Sequence, residues 1–67
     1  MNIGHNLRYF RELKGLTQQQ VADRLFIERS TYAKYETDVS EPNLKVLSML
    51  TTVFGVDYNT ILNYNNK

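Results

Sequence analysis

Four times along this chain a residue in the capping position of a helix is bracketed by two apolar or ring residues five positions apart. These are Thr17 between Leu16 and Val21, Glu28 between Ile27 and Tyr32, Asn43 between Pro42 and Leu47, and Asp57 between Val56 and Ile61. Such an apolar pair clamps the chain where it enters a helix and fixes its entry angle, while the capping residue covers amides that the first turn leaves unpaired. Thr17 with Gln20 adds a reciprocal capping box. Gly15 and Gly55 stand where a helix C-terminus favours a left-handed residue, and the Pro42 ring keeps Glu41 out of helical geometry, so a loop runs through about residues 37–42.

Between these punctuation marks the apolar residues recur at helical spacing: Ile3, Leu7 and Phe10; Val21, Ala22 and Leu25; Leu44, Leu47, Leu50 and Phe54; Tyr58, Ile61 and Leu62. No alternating strand pattern or Asn-Gly or Asp-Gly hairpin signal competes with them. The expectation is an all-α, compact five-helix domain spanning 1–67, with helices at about 3–14, 18–25, 29–36, 44–54 and 58–63 and a frayed tail at 64–67.

Size and composition narrow what such a domain can be. With 67 residues and no cysteine, a single core is only just sufficient, disulfides are impossible, and a structural zinc lacks thiolates. Tight helix packing, oligomerisation or both must supply the stability. No apolar run approaches the ~18 residues of a membrane span. The polar start through Asn2, His5 and Asn6 is unlike a signal peptide. The expectation is a soluble, cytoplasmic, complete product without membrane contact. Catalysis finds no footing: His5 is the one histidine, and there is no cysteine or glycine-rich phosphate loop. No metal-ligand spacing occurs, so no cofactor is expected, and an enzyme is a distant reading.

The connection between the second and third helices, Phe26 to Glu28, is so short that it swings the third helix steeply across the second, as in a helix-turn-helix. Tyr32 and Tyr35, three positions apart, must face inward, which leaves Arg29, Ser30, Ala33, Lys34 and Thr37 looking out. That outward set has what major-groove reading requires. Arg29 can bond guanine O6 and N7 together, Ser30 is adaptable, the Ala33 methyl can meet a thymine methyl, and Lys34 can reach a base edge or a phosphate. On spacing alone, an ordinary solvated helix face explains these residues as well.

The stretch from Gly15 through Leu25, GLTQQQVADRL, resembles the lambda-repressor-like, Cro/XRE family of helix-turn-helix regulators. Ile3-Gly4, Leu7, Arg11, Arg29-Ser30-Thr31, Tyr35-Glu36, Pro42, Leu44, Phe54-Gly55-Val56 and Ile61-Leu62 extend the resemblance, without gaps, over residues 3–62. It implies that Gln18, at the start of the second helix, meets a DNA phosphate, with Gln19 a weaker candidate beside it. It implies that Arg29, Ser30 and Lys34 touch bases or adjacent phosphates, that Thr31 touches a phosphate, and that Arg11 and Glu36 form a buried or half-buried ion pair joining the first and third helices. The function it implies is a small regulator, a repressor, that binds a palindromic operator in double-stranded DNA as a homodimer. No sensor domain for a small-molecule effector is evident.

Three departures from the family pattern stand out. Phe26 occupies a turn position where the family usually has glycine, so either the turn is altered or packing offsets the strain of a left-handed phenylalanine, on the order of 1–2 kcal/mol. Glu28 replaces the usual Ser or Thr cap and sets a negative charge beside the DNA-facing side chains. Over residues 28–41, Arg29 and Lys34 face Glu28, Glu36, Asp38 and Glu41, and the chain as a whole carries only +1. That balance predicts weak non-specific binding and a modest salt slope. It also keeps a second reading open, a protein-interaction module of the same fold, antitoxin-like or a regulatory subunit. Tyr9 and Leu13, with Phe26, are either scattered surface residues or a partner-facing patch. Tyr58, Leu62 and Tyr64 exceed what one short helix must bury and are the candidate two-fold dimer contact.

Overall fold

A computed structural model describes residues 2–64 and contains five helices: α1 (Gly4–Leu13), α2 (Gln18–Leu25), α3 (Arg29–Glu36), α4 (Leu44–Phe54) and α5 (Tyr58–Asn63). Residues 65–67 of the expected tail lie outside the described residues; its first residue, Tyr64, stacks on Tyr9 with ring centroids 4.3 Å apart.

The starts of the helices follow from local chemistry. Thr17 Oγ1 accepts from the Gln20 amide (3.0 Å) while Gln20 Oε1 accepts from the Thr17 amide (2.9 Å), closing the capping box. Asn43 and Asp57 accept from the amides of Val46 and Thr60. Glu28 holds the N-cap position of α3 but makes no side-chain cap bond, contrary to the expectation that it caps like the other three. Its longer side chain lacks the reach-back geometry that favours Ser, Thr, Asp and Asn there.

The C-termini share one device. Gly15, Phe26 and Asp38 each adopt a left-handed conformation, at φ 71°, 60° and 61°. Each lets two amides turn back onto the last carbonyls, as when Gly15 and Leu16 donate to Glu12 and Arg11. Phe26 answers the question its position raised. The turn keeps the left-handed geometry, Phe26 and Ile27 donate to Asp23 and Ala22, and the phenyl ring is 86% exposed, so no packing offsets the strain. Phe26→Gly is therefore expected to stabilise the domain by about 1 kcal/mol, because it removes the Cβ penalty and surrenders no buried contact. A urea midpoint below that of the parent protein would show that the ring contributes packing after all.

The core gathers Ile3, Leu7 and Phe10 of the α1 region, Val21, Ala22 and Leu25 of α2, Tyr32 and Tyr35 of α3, Val46, Leu47, Leu50 and Phe54 of α4, and Ile61 of α5. Leu44 was expected in the α4 stripe and is instead 77% exposed. It is the first residue of the helix, where its side chain clears the facing helices, and Val46 fills the inward face. Around this core α3 packs on α2 and α1, α4 on α2, and α5 on α4 and α1. Asn6, polar yet buried, ties α1 to α5 through a 2.8 Å bond from Nδ2 to the Ile61 carbonyl.

Candidate nucleic-acid interface

Burial of Tyr32 and Tyr35 fixes which side of α3 faces out. Arg29, Ser30, Lys34 and Thr37 are exposed, and Thr31 and Ala33 are half-buried at the edges of that face. Thr37 Oγ1 leans back onto the carbonyls of Ala33 and Lys34, at 3.3 Å each. Gln19 is exposed on α2, where its Nε2 donates to Asp23 (2.8 Å), and Gln18 is half-buried beside the start of α3.

Behind this face lies the ion pair. Arg11 Nε donates to Glu36 Oε2 at 2.6 Å and Arg11 Nη2 to Oε1 at 3.2 Å, a two-point contact between side chains only 13% and 3% exposed. The third arm of the same guanidinium, Nη1, donates to the Leu16 carbonyl at 2.9 Å. One side chain thus joins α1, the α1–α2 turn and α3. Burial pushes the Glu36 carboxyl up, but the hydrogen bonds from Arg11 and Gln18 outweigh it and hold the group below its ordinary range. The bond to Glu36 likewise raises the already high Arg11 value. The neighbouring Tyr32 hydroxyl is buried, and burial, with the Glu36 carboxylate nearby, raises its pKa far above that of an ordinary phenol.

Gln18 extends the pair outward. Its Nε2 donates to Glu36 Oε1 (3.1 Å), and its Oε1 accepts from Arg29 Nη1 (3.3 Å). The residue expected to meet a phosphate is therefore engaged with the ion pair on one side and the candidate reading arginine on the other. Nothing in the local sequence announces this, because the partners are 18 and 11 positions away.

The acidic count around α3 changes meaning once Glu36 and Asp38 are placed. Glu36 is covered by Arg11, and Asp38 Oδ1 accepts the Gly4 amide at 3.0 Å, capping α1 from across the fold. Asp57 caps α5. On the outward side of α3, Arg29 and Lys34 stand beside the exposed Glu28. Sequence reasoning missed Asp38 and Asn6. Asn6 did leave a signal: it lies on the same helical stripe as Ile3, Leu7 and Phe10, where a polar residue must find a partner.

Tyr58, Leu62 and Tyr64 are exposed, as are Tyr9 and Leu13 of α1. Tyr64 also meets Phe10 edge-on, at 5.1 Å between ring centroids. No helix among the described residues is long and apolar enough to cross a membrane.

Comparison with known proteins places these observations in a wider set. The sequence pattern of a family described as helix-turn-helix matches residues 7–61. The SPbeta prophage-derived uncharacterized HTH-type transcriptional regulator YonR of Bacillus subtilis is 42% identical over 60 residues, which make up 90% of this chain and 56% of that protein. The HTH-type transcriptional activator BcrR of Enterococcus faecalis is 31% identical over 92% of this chain and 30% of its own length. An uncharacterized HTH-type transcriptional regulator of Methanocaldococcus jannaschii is 32% identical over 92% of this chain and 94% of its own length. The chain thus spans about half or less of the first two relatives and nearly all of the third. No solved structure gives a significant match.

Proposed function

The chain belongs to the helix-turn-helix family of Cro/C1 type, and on that premise we propose that it is a sequence-specific DNA-binding regulator of transcription with α3 as its reading helix. The observation that carries this reading is the division of α3. Tyr32 and Tyr35 anchor one side in the core, and Arg29, Ser30, Lys34 and Thr37 are left exposed on the other. A helix held this way by its inner face can enter a major groove without giving up core contacts.

In this reading Arg29 and Ser30 contact base edges, Ala33 offers its methyl, and Lys34 reaches a base or a phosphate. Thr31, Thr37, Gln18 and Gln19 border the backbone. A single reading helix gives little affinity, so the regulator acts as a homodimer on a palindromic operator, with half-sites about 34–36 Å apart or a multiple of that. The exposed Tyr58 and Leu62 of α5, with Tyr64 just after it, supply the two-fold contact, and α5 packs on α1 and α4. Repression by competition with polymerase is the proposed output.

Selection of bound sequences from random duplexes tests this directly, with a palindrome as the expected result. On the selected duplex Arg29→Ala is expected to cost about 1–3 kcal/mol at one base pair, and Lys34→Ala to weaken all sequences alike and flatten the salt slope by about 1. A protein that binds no duplex at low salt, yet captures a specific protein partner, would replace this reading with that of an interaction module.

A further inference from the structure

The outer side of α1 carries a depression of about 260 Å³ lined by His5, Arg8, Tyr9 and Glu12. These are positions i, i+3, i+4 and i+7 of one helix, the diamond that receives a single side chain when a second helix packs knobs-into-holes. The helix meets the core of its own chain on the other side, through Leu7 and Phe10. One turn beyond Tyr9 stands Leu13, an apolar side chain 65% exposed. The flanks of the depression say what fits it. Arg8 and Glu12, one turn apart, form an exposed ion pair at 3.1 Å. A two-fold axis across the helix reverses its direction, so a second copy sets its Glu12 against Arg8 and its Arg8 against Glu12. An axis crossing α1 between positions 10 and 11 brings Leu13 of the second copy over the depression. It also leaves each Arg8 within about 2 Å, along the helix, of the facing Glu12. Lys14, the next cation, does not oppose this pairing, because its Nζ lies toward Gly55.

We propose that α1 forms a second half of the contact between two copies of this chain: Leu13 of each copy enters the depression on α1 of the other, and reciprocal Arg8–Glu12 pairs fix the antiparallel register. The proposal rests on the homodimer of the functional reading above. Tyr9 stacks on Tyr64 with ring centroids 4.3 Å apart, so the depression adjoins the residues assigned there to the two-fold contact. Apolar and aromatic side chains at the centre with charges at the rim are the usual division of an interface. Arg8 and Glu12 cancel, so this face has no net charge to draw a phosphate backbone. An unrelated protein has no built-in reason to match their order along the helix, whereas a second copy matches it by symmetry. A contact this small pairs the chains in concentrated solution, and unfolding in dilute solution reports on the single chain.

Analytical ultracentrifugation of the parent chain, Leu13→Glu, Arg8→Glu and Glu12→Arg tests this. All three side chains are exposed, so helix content by circular dichroism is expected to stay at the parent's level. Leu13→Glu is expected to weaken dimerisation by more than about tenfold, because each dimer loses two buried leucines. Arg8→Glu and Glu12→Arg each set like charges against one another across the axis and are expected to be monomeric. An equimolar mixture of those two variants restores opposite charges at both positions and is expected to dimerise close to the parent's level. No effect confined to one helix produces that rescue. If Leu13→Glu dimerises like the parent, or the mixture stays monomeric, the α1 contact is overturned. Leu62→Glu then shows whether the contact at α5 stands without it. A parent chain that remains monomeric at about 1 mM overturns the α1 contact and the homodimer in solution together, and leaves DNA binding to the duplex selection.

Discussion

Glu36→Ala is expected to destabilise the domain by about 3–5 kcal/mol, the range for removing one partner of a buried pair. The loss is large because the carboxylate serves two side chains. Without it the Arg11 guanidinium, 13% exposed, keeps its charge without its counterion, and Gln18 loses the acceptor that orients it. A domain of this size has roughly 3–10 kcal/mol in total, so the variant is expected to be substantially unfolded at 37 °C. The molecule carries its own control. Arg8 and Glu12 also form an ion pair, at 3.1 Å, but with side chains 65% and 56% exposed, and Glu12→Ala is expected to cost under about 0.5 kcal/mol. Urea unfolding of the two variants side by side gives the comparison, and equal midpoints would mean that burial adds nothing to the Arg11–Glu36 pair.

The same carboxylate sets the sign of the response to acid. Its pKa is lower in the folded state than its ordinary value of 4.5, so its contribution is fully present above that value and fades as pH falls toward the folded one. Asp57, lowered by its hydrogen bonds from Thr60, acts in the same direction. Stability is expected to hold between about pH 7 and 5 and then decline, with a shallower decline in Glu36→Gln, which has no such proton to take up.

What could be read from the chain and what could not divide along sequence distance. Helix starts were legible at Thr17, Asn43 and Asp57 because a cap and its partner amide are three residues apart. The inward tyrosines of α3 were legible from spacing alone. Resemblance, not spacing, supplied the Arg11–Glu36 pair, whose partners are 25 positions apart. Asp38 reaching Gly4 over 34 positions, Asn6 reaching Ile61 over 55, and Gln18 standing between Glu36 and Arg29 had no local pattern to announce them. Leu44 misled for the reverse reason: its periodicity was right, but the first residue of a helix has only half a turn of neighbours to be buried against. Side chains that turn into the core were thus legible from spacing, and those that meet a distant partner were not, except where resemblance supplied the pair.

Gly4→Ala is expected to cost about 3 kcal/mol, against the ordinary gain of about 0.5–1 kcal/mol when alanine replaces glycine in a helix. The reversal comes from where α1 begins. A Cβ on Gly4 would stand 2.6 Å from the Tyr35 carbonyl oxygen and 2.5 Å from the Glu36 carbonyl carbon, and closer still to the Glu36 oxygen. These are backbone atoms of α3 and cannot rotate aside, so the two helices must separate. Separation strains the 3.0 Å bond from the Gly4 amide to Asp38 and the Arg11–Glu36 pair together, which is why the upper end of the overpacking range applies. Gly15→Ala is the contrasting case, with backbone strain and no clash. Nothing lies within 4 Å of a Cβ there, and its φ of 71° alone is expected to cost about 1 kcal/mol. Thermal unfolding followed by circular dichroism should place the Gly4 variant about 12–24 °C below the parent, taking about 4–8 °C per kcal/mol. A melting point within about 4 °C of the parent would mean that α1 and α3 accept a methyl group between them. The Arg11–Glu36 pair could then not be holding those helices in a fixed register, and the proposed reading face on α3 would lose its rigid base.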